Sequence, residues 1–255
     1  MIKIPELFPK NTTLNFAHRG YTKDAPENSI AAFKAAATLG VDGIEFDVRV
    51  CASGEVVVFH DQYVKRMTGM PGQVKMLNLN DLRDLRLVQN GHPITENIPT
   101  LTEAVEAIDK NSIINIEIKS NGLPNRHRIE EKVVDILTQY DLFDRTIISS
   151  FHPLIMRRFG KLNPQIIKGF LFDKTFNVSQ TQVIFTKIAK ARAIHIKGSL
   201  LKSDLVKKIK ARGYACVAWT INERARMNEL LNLGVHAIIT DRPDLLKQLS
   251  MSLTE

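Results

Sequence analysis

Acidic side chains recur in short apolar segments, either two residues apart or two residues before a lysine. Glu45 and Asp47 lie in GIEFDVRV, and Glu117 precedes Lys119 in IINIEIKS. Side chains two residues apart on an extended strand point to the same side. Buried carboxylates repel one another and are costly without a cation, so the pattern indicates either an Arg or Lys partner or a hard divalent metal bound through oxygen. With Lys119 beside it, such a metal site would suit a phosphate or a phosphodiester.

Two histidines stand where candidate strands end. His18 closes TLNFAH and His60 closes EVVVFH. Imidazole gives and takes protons near neutral pH, so two histidines that converge on a carboxylate cluster predict an acid and a base. Arg19 follows His18, and its planar guanidinium suits a phosphate oxygen. A salt bridge from Arg19 to Glu27 in the neighbouring loop is the alternative.

Two more residues at strand ends have less specific interpretations. Trp219, the only tryptophan, lies in YACVAWTIN. Its ring would either pack in the core or form a wall for an organic leaving group. Asp241 precedes Arg242 and a proline, a position typical of a helix cap, so the sequence assigns it no ligand role.

Short β-branched segments alternate with longer amphipathic segments along the chain. This alternation predicts βα units and a parallel sheet. The nine candidate strands are 13–20, 43–50, 55–61, 113–120, 145–151, 166–172, 191–198, 214–222 and 235–242.

One of these nine strands cannot be a parallel member of the sheet. Only the residues CASG join 43–50 to 55–61, whereas a parallel crossover needs roughly a dozen or more. We therefore expect an antiparallel hairpin that brings His60 back towards the end of the second strand. The remaining strands predict an α/β fold, the (β/α)8 TIM barrel, whose active site lies at the C-terminal ends of the strands.

No linker, repeat or low-complexity tract divides the chain. We expect a single domain over residues 1–255, with the irregular stretch 62–100 inserted over the barrel mouth. A length of 255 residues and a composition that is 44% hydrophobic suit one soluble barrel with a large core. Cys51 and Cys216 lack metal or redox spacing, and we predict that both are reduced, buried thiols.

The net charge of +8 raises nucleic acid as a partner, but the charge is unevenly distributed. Residues 151–255 carry +11 and residues 1–150 carry −3. A solvated helix face accounts for the basic cluster between Lys202 and Arg212, and the sequence has neither aromatic platforms nor a recognisable nucleic-acid-binding module. We expect a small-molecule substrate and no nucleic acid, while the oligomeric state stays open.

The sequence gives no sign of a targeting or membrane segment. The first residues lack the apolar core of a signal peptide. No apolar run approaches the roughly 18 residues of a membrane-spanning helix. We therefore predict a cytoplasmic protein without stable membrane anchoring.

Eight motifs follow one another between about residue 15 and residue 245: HRGYTKDAPENS, GIEFDVRV, VVVFHD, IPTLTE, INIEIK, SSF, VAWTIN and IITDRPD. In order and spacing, this set resembles the glycerophosphodiester phosphodiesterase family. Each motif alone is weak, whereas the ordered combination is specific. Ser29 in place of the usual threonine, and the loose match of KRMTG (65–69) to an Arg-Thr-Thr pattern, depart from the family and concern substrate preference.

The resemblance implies a (β/α)8 barrel, a requirement for Mg2+ or Ca2+, and hydrolysis of glycerophosphodiesters to sn-glycerol 3-phosphate and an alcohol. By position, it implies acid–base catalysis by His18 and His60, metal binding by Glu45, Asp47 and Glu117, phosphate binding by Arg19 and Lys119, and contact with the glycerol or the leaving group by Trp219. In some members the histidine that matches His60 is assigned to the metal, so the role of His60 stays open.

Three other functions are compatible with the sequence. A lysophospholipase D or a sphingomyelinase D-like enzyme would use the same histidines and carboxylates, although the absence of a membrane segment favours water-soluble substrates. A phosphodiester-binding protein would need no turnover, but the complete set of histidines and carboxylates favours an enzyme. A nucleic-acid-binding protein would depend steeply on salt. The sequence does not decide which histidine is the acid, or whether water or a substrate hydroxyl attacks phosphorus.

Overall fold

Eight parallel strands form a closed barrel in the computed structural model, which describes residues 6–9, 11–119, 128–173 and 186–252. The strands are β1 (Leu14–His18), β2 (Gly43–Val50), β6 (Ile113–Ile118), β7 (Thr146–Ser150), β8 (Ile167–Phe172), β9 (Ala193–Lys197), β10 (Ala215–Trp219) and β11 (Ala237–Thr240). Neighbours in sequence pair in parallel, and β1 pairs with both β2 and β11, which closes the ring. The predicted TIM barrel is confirmed.

Most of the helices cover the outer surface of the barrel. The helices are α1 (Ile30–Leu39), α2 (Lys65–Thr68), α3 (Leu79–Asp84), α4 (Leu101–Ala107), α5 (Ile129–Gln139), α6 (Pro153–Leu162), α7 (Ser203–Ala211), α8 (Arg224–Asn232) and α9 (Pro243–Met251). The short α2 and α3 do not cover the barrel but belong to the segment that precedes α4. Local sequence explains where several of the helices begin: Ser29 caps α1 by accepting a hydrogen bond from Ala32 N, and α6 and α9 each begin with a proline.

The strands bury side chains on both faces, as parallel strands do when helices cover the sheet. Alternate residues from several strands form an apolar cluster that includes Leu14, Phe16, Ile147, Val217 and Ile239. The residues between them pack outward against the helices. This alternation is what directs Glu45 and Asp47 of β2 to one side of the strand.

The predicted hairpin after the second strand is also confirmed. β3 (Val56–Val58) pairs antiparallel with β2, so that Val48 lies opposite Val58. The turn between them is closed by a hydrogen bond from Cys51 N to Glu55 O. The backbone N–H of Phe59 then donates to Asp47 O, and this places His60 beside the end of β2.

The segment between β3 and α4 folds into short elements over the same end of the barrel. It contains α2, α3 and an antiparallel hairpin of β4 (Arg86–Gln89) and β5 (His92–Asn97). Its apolar side chains and two from the β2–β3 hairpin, Cys51 and Val57, form a buried cluster. This cluster is named here the insertion core: Cys51, Val57, Phe59, Val64, Met67, Val74, Leu82, Leu87 and Ile98.

Two simpler predictions can be compared with the described residues. Cys51 and Cys216 are buried free thiols, as expected. Within the described ranges, no helix combines the length and the apolar character that a transmembrane span requires.

Candidate active site

Three buried carboxylates meet where the C-terminal ends of β1 and β6 lie beside the middle of β2. Glu45, Asp47 and Glu117 each place a carboxylate oxygen within 4.8 Å of the other two. The register of the two strands explains this meeting, because Asp47 lies opposite Glu117. The three side chains belong to residues that are 3%, 1% and 8% exposed, so water screens their charges poorly. The cluster predicted from sequence spacing is therefore formed.

Two cations already neutralise part of this cluster. Lys119 Nζ lies 3.1 Å from Asp47 Oδ1 and 2.5 Å from Glu117 Oε1. Arg19 Nε lies 3.1 Å from Asp47 Oδ2. The alternative of an Arg or Lys partner thus holds for Asp47, which has both. Among the ion pairs of the described residues, Glu45 pairs only with the imidazole of His18, whose Nε2 lies 3.9 Å from Glu45 Oε2, and the same oxygen accepts a hydrogen bond from the backbone N–H of Arg19 at 3.3 Å.

The pKa directions show where positive charge is missing. Burial, together with the charge of Asp47, raises the pKa of Glu45 to about 8. Burial also raises the pKa of Glu117 in spite of Lys119. For Asp47, Lys119 and Arg19 outweigh burial and hold the pKa well below its usual range. A divalent cation would supply the charge that Glu45 and Glu117 lack, so the three residues fit a hard metal ion.

His18 is held by a carboxylate from the last strand of the barrel. Its Nδ1 donates to Asp241 Oδ1 at 2.6 Å, and Asn222 Nδ2 donates to Asp241 Oδ2 at 2.6 Å. Burial acts to lower the pKa of His18, but the hydrogen bond to Asp241 and the charge of Glu45 raise it overall.

The interpretation of Asp241 as a helix cap is wrong. The N-cap of α9 is Arg242, and the side chain of Asp241 turns to His18 instead. The reason is barrel closure, since β11 pairs with β1 and the ends of the two strands lie side by side.

His60 is held in a similar way by the adjacent Asp61 and by Arg49 of β2. Its Nδ1 donates to Asp61 Oδ1 at 2.6 Å, and its carbonyl oxygen accepts from Nε and Nη2 of Arg49 at 2.9 and 2.7 Å. Burial is the main cause that lowers the pKa of His60. Sequence reasoning missed both Asp61 and Arg49, although Asp61 is adjacent to His60 in the HD motif.

A chain of ion pairs connects the loops that carry the two histidines. Arg66 pairs with Asp61 and with Glu27 at 2.6 Å each, and Glu27 Oε1 lies 2.8 Å from Arg19 Nη1. The alternative of an Arg19–Glu27 salt bridge is therefore realised together with the contact to Asp47. These pairs hold the guanidinium of Arg19 in place beside the carboxylate cluster.

Trp219 lies at the C-terminal end of β10 and is half-buried. Its ring packs edge-on against Phe151, with centroids 5.7 Å apart. Its Nε1 is buried and has no hydrogen-bond partner among the described residues. Trp219 thus forms an aromatic pair at the end of the barrel where the carboxylates lie.

A family model described as "Glycerophosphoryl diester phosphodiesterase family" matches residues 18–245. The chain belongs to this family. The matched range contains the carboxylates, both histidines and the aspartates that hold them, so the family assignment makes the chain a phosphodiesterase, as the resemblance implied.

Individual relatives support the same assignment to the phosphodiesterases. A glycerophosphodiester phosphodiesterase of Caldanaerobacter subterraneus subsp. tengcongensis is 37% identical over 92% of this chain and 96% of its own. One of Bacillus altitudinis is 34% identical over 90% and 94%. The structure of an Oleispira antarctica phosphodiesterase in complex with the product sn-glycerol-3-phosphate is 30% identical over 92% and 95%, with a TM-score of 0.83.

A polar groove of the phosphodiesterase adjoins His18 and Arg19. It has a volume of about 490 Å³ and lies between the loop that contains Lys23 and Glu27 and the β4–β5 hairpin around Asn90. Asp241 lines the same groove. The insertion therefore forms one wall of the groove next to His18 and Arg19.

Proposed function

We propose that the protein catalyses metal-dependent hydrolysis of glycerophosphodiesters to sn-glycerol 3-phosphate and an alcohol. The observation that carries the proposal is the pair of histidines, each held at Nδ1 by an aspartate, beside a buried carboxylate triad. The bound product of the Oleispira antarctica phosphodiesterase supports the same product here.

The metal would be Mg2+ or Ca2+, held by Glu45, Asp47 and Glu117. Both ions prefer oxygen ligands, and the triad offers only carboxylate oxygens. When bound, the ion supplies positive charge that stabilises a phosphodiester as negative charge develops during attack.

Arg19 and Lys119 would bind the phosphate oxygens. Both side chains are largely buried, carry positive charge and already lie beside the triad. A guanidinium and an ammonium fixed in this way stabilise a five-coordinate phosphorus without reorganising during the reaction. Trp219 and Phe151 would form the apolar wall for the glycerol or the leaving group.

His18 and His60 would exchange the protons of the reaction. Because each Nδ1 is engaged with an aspartate, each ring presents Nε2 to the substrate. One histidine takes the proton of the nucleophile and the other protonates the leaving alcohol. The nucleophile is water or the substrate's own glycerol hydroxyl. In the second route the hydroxyl expels the alcohol and forms a cyclic phosphate, which water then opens to glycerol 3-phosphate, so a cyclic intermediate could be detected.

The test is an assay of glycerol 3-phosphate from a panel of glycerophosphodiesters, with and without Mg2+ and Ca2+. We expect His18→Ala and His60→Ala each to lower turnover about 10²-fold or more. His92→Ala, at an exposed position, is the matched control. Near-wild-type turnover in either folded histidine variant would remove that residue from the mechanism.

Metal dependence gives a second readout that does not require turnover. The wild type should lose activity in chelator and regain it with Mg2+ or Ca2+. The ion should also raise the melting temperature, since a ligand that binds only the folded state stabilises it, and Glu45→Gln should abolish this shift. Full activity in chelator would contradict the proposal, and preference for lysophosphatidylcholine over glycerophosphocholine would favour the lipid alternative.

A further inference from the structure

A strongly basic cavity lies on the outer wall of the barrel, away from the candidate active site. It has a volume of about 270 Å³ and lies between α6, the start of β8 and the chain before β9. Its lining includes five cationic side chains and no carboxylate: Arg157, Lys161, Lys168, Lys187 and Lys190. Lys168 is the second residue of β8, whereas the candidate active site lies at the C-terminal ends of the strands.

Lys168 is the buried member of this group. The residue is only 5% exposed, and its neighbours in β8 turn to the other face of the strand. Its ammonium lies close to Gly160 of α6, where an added Cβ would be 2.7 Å from Lys168 Nζ. None of the hydrogen bonds or ion pairs among the described residues includes this ammonium.

The surrounding sequence offers no negative charge to compensate Lys168. Residues 153–172 and 186–192, which surround Lys168, contain seven Lys or Arg residues and no Asp or Glu. Burial, followed by the charges of Arg192 and Lys190, lowers the pKa of Lys168. A buried cation without a partner is costly, and an anion in the cavity would remove that cost.

We propose that this cavity binds a phosphate group, carried either by a small soluble phosphate monoester or by a lipid headgroup. Several ammonium groups and the guanidinium of Arg157 around a small concave space match the charge and the oxygens of phosphate. The volume lies near the lower end of the range for small-molecule sites, roughly 300 Å³, so the site takes one phosphate and little more.

The proposal can be tested by following backbone amides of the 15N-labelled protein during titration with inorganic phosphate and with glycerol 3-phosphate. Saturable shifts at Gly160, Lys161 and Ala189 are expected in the wild type. Lys168→Met should weaken this binding about tenfold or more, because it removes the buried cation and keeps the length of the side chain. Lys208→Met, at an exposed position of α7, is the control of equal charge and should bind as the wild type does.

Two additional measurements make the outcome decisive. Gly160→Ala places a methyl group against Lys168 Nζ without changing the charge, and should also weaken binding.

Co-sedimentation with phosphatidylglycerol vesicles tests the lipid source. If the wild type binds the vesicles, Lys168→Met does not, and free phosphate causes no shifts, the phosphate group is that of a lipid headgroup. Absence of both kinds of binding, equal binding by Lys168→Met, or equal shifts with chloride at the same ionic strength would overturn the proposal. Hydrolysis of glycerophosphodiesters should be unchanged in Lys168→Met.

Discussion

At the scale of single residues, the carboxylates that hold the histidines are the most informative groups. Asp241 and Asp61 each accept a hydrogen bond from Nδ1 of a histidine at 2.6 Å. Such a bond fixes the tautomer and the orientation of the ring, so the other nitrogen would be available for the proposed proton transfers. Asn222 holds Asp241 in turn, which extends this positioning by one more residue.

Asp241→Asn tests the positioning of His18. The amide is a poorer acceptor, so we expect turnover to fall about tenfold or more with little change in KM. Asp241 helps to raise the pKa of His18, and the pH dependence that His18 controls should therefore move to lower pH in the variant. Steady-state kinetics between pH 5 and 9 would measure both effects.

Asp244→Asn is the matched control for this variant. Its carboxylate lies in the same segment but pairs with Arg242 on the surface, so its kinetics should equal those of the wild type. A pH profile of Asp241→Asn that coincides with that of the control would show that Asp241 does not act through His18.

At the scale of elements, the loop after β1 depends on a left-handed backbone. Arg19 and Gly20 have φ of 57° and 86°. A Cβ on Gly20 would lie 2.8 Å from the backbone carbon of Ala32 in α1, so the loop and the helix are in close contact only because glycine has no side chain. This contact directs the N–H of Arg19 to Glu45 O at 2.7 Å.

Comparison of Gly20→Ala with Gly69→Ala separates the close contact from the backbone strain. Gly69 also has a left-handed φ, of 72°, but nothing lies within 4 Å of its added Cβ. We expect Gly69→Ala to lower the free energy of unfolding by about 1–2 kcal/mol, and Gly20→Ala by about 1–3 kcal/mol more.

Denaturant unfolding of the two variants measures this difference, and only Gly20→Ala should also lower turnover, because it displaces Arg19. Equal destabilisation in both would mean that the loop has room for a side chain.

Sequence patterns predicted the elements of the barrel well and those of the insertion poorly. The strands of the barrel are apolar, β-branched and separated by amphipathic helices, so local composition specifies them. In the segment from α2 to β5 the elements are short, and long-range packing in the insertion core decides them.

The same distinction holds for the site. Glu45 and Asp47 could be predicted because a spacing of two residues is a local property of one strand. The contact between His18 and Asp241 joins residues 223 positions apart and exists only because the barrel closes. A useful signal was nonetheless present, since Asp241 ends the last strand, which must lie beside the first in any closed barrel.

At the scale of the whole molecule, the buried His195 in the barrel interior should make the stability of the fold depend on pH. The residue is 1% exposed, and neither ring nitrogen has a hydrogen-bond partner among the described residues. Its ring fills the space left by Gly169 on the neighbouring strand, where an added Cβ would lie 2.3 Å from Nε2. Burial lowers the pKa of His195 to about 3.

This depressed pKa predicts acid sensitivity. Above the ordinary histidine pKa of about 6.5, both the folded and the unfolded states are neutral at this position. Below it, the unfolded chain binds a proton that the folded chain excludes, so the free energy of unfolding falls, by about 2 kcal/mol between pH 7 and pH 4.5.

His195→Leu should lose correspondingly less stability over this range, whereas the exposed control His92→Leu should follow the wild type. Urea unfolding at several pH values measures the free energy of unfolding of each protein. If it falls equally with pH in the wild type and both variants, His195 does not cause the loss of stability.

The separate core of the insertion has a consequence for heat inactivation. His60, Asp61 and Arg66 belong to a segment whose apolar side chains pack mainly with one another, while His18 and the triad belong to the barrel wall. Small cooperative units open at lower free energy than the whole molecule. On warming, the enzyme should therefore lose activity at a temperature at which its barrel is still folded. On cooling, activity should return as fast as the short insertion refolds, which is faster than refolding of the whole barrel.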